Sequence, residues 1–148
     1  MLRTRYITTE IEINAPCDVV WRIVTDFPGY GSWNPFIRLI AGEPIVGARL
    51  RVFASLPCGL PVLLWPRVLE VEVERKICWL GSLLLPGLLD GKHSFILEPL
   101  DETKVHFVQR EEYSGLLLPI TWTWLRNQSL RGFETMNGAL KTAAERLV

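Results

Sequence analysis

The chain has no surplus of either charge. It carries 16 Lys and Arg against 16 Asp and Glu over 148 residues, with no run of one sign. A nucleic-acid binder usually displays a basic stripe, so composition argues against that partner. Histidine is scarce, with only His93 and His106. The three cysteines, Cys17, Cys58 and Cys78, show no CxxC or Cys/His spacing. An odd, unpatterned set reads as reduced thiols in a cytoplasmic protein, and it leaves no basis for a structural zinc site or any other metal. No stretch reaches the ~18 apolar residues that suggest a bilayer-spanning helix. The start, MLRTRYITTEIEI, alternates and has no continuous apolar leader. There is no Ser/His/Asp order, phosphate-cradling glycine loop or metal box, and no cofactor is expected.

What the chain does have is apolar bulk, with a hydrophobic fraction of 49% and six Trp. That is enough for a single domain spanning 1–148 with one core. Tyr6 to Ile13 alternates Ile7, Thr9, Ile11 and Ile13 against Thr8, Glu10 and Glu12, the pattern of a half-buried strand. Asn14-Ala15-Pro16 stops it, and Pro16 opens a helix to about Asp26. Pro28 to Gly31 breaks that helix, and Trp33 to Phe36 suggests a further short turn or corner. Strand and turn signals then run to Pro119, including a long ribbon from about Val62 to Glu74. Gly91–Glu98 and Lys104–Tyr113 form a hairpin closed by 99–103.

The final stretch, Pro119 to Leu147, is the organising element. Leu130, Phe133, Met136, Asn137, Leu140, Ala144 and Leu147 recur at three- and four-residue spacing, one face of a helix. At about 28 residues such a helix is about 42 Å long and needs a sheet to lie on. Gly132 and Gly138 inside it mark places where a strand or a ligand comes close. The order β, α, α, several β, α predicts an α+β fold. A curved antiparallel sheet of about seven strands wraps the long helix, with two short helices after the first strand. Such a sheet leaves an apolar cavity against the helix.

Alternation identifies candidate site residues. His93, Phe95 and Leu97 share a face of one hairpin strand, and Val105, Phe107, Gln109, Glu111 and Tyr113 share the inward face of the other. Antiparallel pairing sets His93 opposite Gln109 to Glu111. A His–carboxylate pair in an apolar cavity orients a ligand, serves as a general base, or only satisfies itself. Phe133, Met136, Asn137 and Leu140 supply the helix side. The expected ligand-binding set is therefore His93, Phe95, Phe107, Gln109, Glu111, Tyr113, Phe133, Met136, Asn137 and Leu140, with His93 and Glu111 the catalytic candidates. Arg126 reads as a solvated surface residue. Two segments, 56–66 and 80–89, are unusually apolar for loops; a lid or cavity wall is the first reading, and membrane contact and a protein interface are the others.

One set of residues resembles a known family. It comprises Asn14-Ala15-Pro16, Val20-Trp21, Thr25-Asp26-Phe27 and Tyr30 with Trp33-Asn34-Pro35-Phe36. With Trp79, Gly91-Lys92-His93-Ser94-Phe95, Leu97-Glu98-Pro99 and Glu111 to Leu117, the chain resembles the START/Bet v1-like (SRPBCC) superfamily. The likeness is to a bacterial polyketide cyclase/dehydrase and lipid-transport-like subgroup. The resemblance implies a helix-grip fold and a deep cavity for binding or transport of a small hydrophobic molecule such as a lipid, polyketide or aromatic metabolite. The alternative it implies is a polyketide cyclase/dehydratase-like enzyme in which His93 and Glu111 move a proton.

Overall fold

A computed structural model describes residues 3–148. Met1 and Leu2, part of the N-terminal segment read above for a leader, lie outside the described residues. Strand β1 (Arg5–Ile13) leads into helix α1 (Cys17–Thr25), with Pro16 at its N-cap and Asp18 in its first turn. Negative charge there is favoured by the helix dipole. A 3₁₀ helix covers Phe27–Ser32, so the second helical element falls over the Pro28–Gly31 breaker and not over Trp33–Phe36. The reason is local. Pro28 suits a first helical turn, whereas the side chain of buried Asn34 turns the corner by accepting the backbone N–H groups of Phe36 (2.9 Å) and Ile37 (2.8 Å).

Strands β2 (Ile37–Ala41), β3 (Arg51–Ser55) and β4 (Pro61–Leu64) form a three-stranded antiparallel sheet. Strands β5 (Arg67–Glu72), β6 (Lys76–Ser82), β7 (Asp90–Asp101) and β8 (Lys104–Ser114) join β1 in a five-stranded sheet of order β1-β8-β7-β6-β5. The expected ribbon from Val62 to Glu74 is thus two strands in two different sheets, divided at Trp65-Pro66. Proline has no N–H for a ladder and bends the chain where the sheets part; its carbonyl accepts Leu50 N–H at 2.7 Å. Among the described residues there are eight strands where about seven are expected, because of this split. The β7–β8 hairpin pairs His93 with Glu111, Phe95 with Gln109 and Leu97 with Phe107, within the expected range of register.

Helix α2 (Leu118–Glu145, 28 residues) packs across β1 and β8, with Pro119 in its first turn. Its far end is tied to β1: Lys141 Nζ donates to Glu12 O (2.9 Å), and Glu145 accepts the Asn14 N–H (3.0 Å). Phe133, Met136, Leu140 and Ala144 pack into the same core as Ile7, Ile13, Phe95, Leu97, Val105 and Phe107. Of the two helix glycines, Gly132 lies against the Phe36 ring, whereas Gly138 faces open space. Among the described residues, no helix is long and apolar enough to cross a membrane.

Candidate functional site

A cavity of about 340 Å³ lies between the two sheets and the first half of α2. Its volume falls in the range typical of small-molecule sites. Phe36, Val52, Trp79, Trp124, Leu125 and Phe133 supply much of its apolar wall. Both apolar segments contribute to the lining, through Leu56, Leu60 to Leu64 and Pro66 on one side and Leu83 and Leu89 on the other; neither is wholly a loop, since 61–64 forms β4 and 80–82 ends β6. Leu84 remains 82% exposed, so that loop presents apolar surface outward as well as inward.

The polar lining is confined to Asp90, His93, Glu111, Tyr113 and Ser129. His93 and Glu111 face each other across β7 and β8 because directly paired residues project from the same side of a sheet. The His93 ring is held between Trp79, Phe95 and Phe133, with centroid distances of 5.5, 4.6 and 5.0 Å. Its Nδ1 lies 2.7 Å from Glu111 Oε2. That oxygen is buried and has no hydrogen-bond partner beyond this close contact. The contact is close, but the carboxylate is only partly satisfied. Glu111 leans over Gly91, whose missing side chain leaves room for Oε1.

On its other side, His93 Nε2 donates to Gln109 Oε1 at 2.9 Å. Gln109 Nε2 donates to Asn137 Oδ1 (2.8 Å), and Asn137 Nδ2 donates to Thr9 Oγ1 (2.9 Å). The Thr9 hydroxyl closes the chain on the Gln109 carbonyl at 3.5 Å. All four side chains are buried. Since the Gln109 amide N–H is committed to Asn137, its oxygen is what meets the ring at Nε2.

Tyr113 Oη lies 2.6 Å from Ser129 Oγ on α2. Burial, and then the charge of Glu111, push the Tyr113 phenol well above its ordinary pKa, with the Ser129 bond opposing. Tyr113 therefore stays a neutral hydroxyl at the cavity surface.

Of the ten residues expected from sequence, His93, Glu111, Tyr113 and Phe133 line the cavity. Phe95, Phe107, Met136 and Leu140 lie in the packed core beyond it, and Gln109 and Asn137 are buried in the polar chain behind His93. Arg126 is exposed. Sequence reasoning missed Asp90 and Ser129 as lining residues, whereas Trp79 and Trp124 are among the tryptophans whose bulk suits a core or cavity wall. The only available signal for Ser129 was its place one turn before Phe133 on the same helix face. Among the described residues no three His, Cys, Asp or Glu side chains converge as a metal site would require.

The family model for polyketide cyclase / dehydrase and lipid transport matches residues 4–145. The chain belongs to that family, and it has the helix-grip fold of the START/Bet v1-like proteins. Among solved structures it is similar to the Zhui aromatase/cyclase from a Streptomyces species, at 17% identity and TM-score 0.81, covering 97% of this chain and 95% of that one. A START superfamily protein from Mycobacterium smegmatis matches at 17% identity and TM-score 0.78, covering 97% and 99%. Norcoclaurine synthase from Thalictrum flavum, solved with dopamine and hydroxybenzaldehyde, matches at 13% identity and TM-score 0.73, covering 98% and 88%. At these identities the likeness establishes the fold. No curated protein matches the sequence.

Proposed function

We propose that residues 1–148 act as a single domain that binds, and in that sense carries, a small hydrophobic molecule of the lipid, polyketide or aromatic class. The observation that supports this reading is the cavity itself: apolar on nearly every side, with its few polar groups gathered on the β7–β8 and α2 wall. Apolar area holds the ligand body and the polar wall orients it. His93, Glu111, Tyr113 and Phe133 are the contact residues of this proposal. Phe95, Phe107, Gln109, Met136, Asn137 and Leu140 contribute by fixing that wall. Three free cysteines suit a reducing, cytoplasmic setting. Native mass spectrometry of freshly purified protein is expected to show a bound small molecule that organic extraction releases as an apolar compound. A ligand-free mass, together with failure of hydrophobic fluorescent probes to bind, would refute the reading.

The Glu111 carboxylate, whose Oε1 over Gly91 accepts no hydrogen bond from the described residues, favours a second reading, a cyclase/dehydratase-like enzyme. A carboxylate oxygen without a directed donor, at an apolar cavity and backed by His93, is placed to take a proton from a bound carbonyl compound. 2-Acetonaphthone incubated with the protein in D2O is expected to exchange its methyl protons faster than in buffer. Glu111→Gln should remove the acceleration. Equal rates with and without protein would sink this reading and leave ligand binding intact.

A further inference from the structure

We infer that the polar end of the ligand is a hydrogen-bond donor, a hydroxyl or an ammonium, and that the cavity rejects anionic head groups. This inference rests on the binding reading above and names the chemistry of the molecule it takes. Two carboxylates, Asp90 and Glu111, line the cavity, and the lining holds no Lys or Arg among the described residues. His93 is already engaged within the protein. Its Nε2 is committed to Gln109 Oε1, and its Nδ1 faces Glu111 Oε2. Neither ring nitrogen is free to receive a ligand anion. Asp90 is partly compensated by the Gly87 N–H at 3.1 Å, whereas Glu111 Oε1, the oxygen over Gly91, accepts no hydrogen bond from the described residues; Oε2 is buried against the His93 ring.

A buried acceptor left in that state carries a desolvation cost, which a donor supplied by the ligand removes. A second anion brought beside two carboxylates in an apolar cavity has the opposite effect. The Tyr113–Ser129 pair shares one hydrogen in its mutual bond and so keeps one hydroxyl hydrogen spare. That neutral donor serves a carbonyl on the same ligand, but it does not balance a full negative charge. The site therefore selects alcohols, phenols or amines on an apolar body over free fatty acids and phosphate esters.

Four bicyclic probes separate the outcomes: 2-naphthol, 2-naphthylmethylammonium, 2-naphthoate and naphthalene, titrated at neutral pH by intrinsic tryptophan fluorescence and calorimetry. At least one donor probe is expected to bind about tenfold or more tightly than 2-naphthoate. In Glu111→Gln that preference should collapse, because an amide both donates and accepts. The two donor probes distinguish a hydroxyl from an ammonium head. Naphthoate binding as well as or better than both donors would overturn the inference while leaving the cavity reading in place. Failure of all four, naphthalene included, would overturn both. The wild-type ratio decides the matter even where Glu111→Gln folds poorly, and Asp90→Asn supplies a second variant.

Discussion

Asn137→Leu is expected to destabilise the protein by roughly 2–4 kcal/mol, although leucine nearly matches asparagine in size and is apolar. Asn137 is 3% exposed and sits in the middle of the buried chain, accepting from Gln109 and donating to Thr9. Removing it strands the Gln109 amide N–H in a dry interior, where an orphaned donor costs about 1–3 kcal/mol, and deprives Thr9 of its partner. Nothing in the apolar gain offsets this, because the helix face is already packed. Urea unfolding should show a lowered midpoint with an unchanged slope. The damage should also reach the cavity, since Gln109 would be free to rotate its amide and His93 would lose its fixed partner at Nε2. A variant as stable as the parent would mean that the chain of hydrogen bonds is incidental.

The two glycines of α2 are expected to respond to alanine with opposite signs. At Gly138 a new Cβ meets nothing within 4 Å. Gly138→Ala should gain up to about 1 kcal/mol from helix propensity. At Gly132 the same Cβ would sit 2.5 and 2.6 Å from Phe36 ring carbons. The propensity gain is opposed there by overpacking that costs about 1–3 kcal/mol. Phe36 cannot swing away freely, because it stands edge-on to Phe133 at 5.7 Å and its backbone N–H is held by Asn34. Gly132→Ala should therefore lower stability, and the displaced ring should intrude on the cavity and weaken probe binding. Thermal melts of the two variants side by side test the pair; a stabilised Gly132→Ala would contradict the close approach of helix and ring.

Much of this architecture is legible in the residues, because its signals are local. The alternation of Ile7, Thr9, Ile11 and Ile13 gives β1 its buried face, and the spacing from Leu130 to Leu147 gives α2 its own. The short turn between β7 and β8 fixes their register, and with it the juxtaposition of His93 and Glu111. Alternation identifies which face a residue takes but not its depth along the strand. Phe95 and Phe107 share the face of His93 and Glu111, yet they lie toward the end where the helix packs tightly and leaves no space. The partnership of Asn137 with Thr9 is illegible for another reason. Those residues are 128 positions apart, and only the docking of α2 on β1 brings them together. The division at Trp65-Pro66 was written in the proline, but two adjoining apolar strands look like one until the second sheet gives the first half a separate partner.

The pairing of His93 with Glu111 lies well up the β7–β8 ladder from the turn at Glu102-Thr103. Loops and ladder are therefore under different evolutionary constraints. Residues gained or lost at 56–60, 83–89 or 102–103 alter the rim or the far tip of the molecule while the facing pair stays in place. A single residue inserted within either strand between 93 and 111 shifts the pairing by one and turns one member of the pair outward. Descendants of this sequence can thus change which molecules reach the interior by editing loops. The chemistry those molecules meet changes only by substitution at fixed ladder positions.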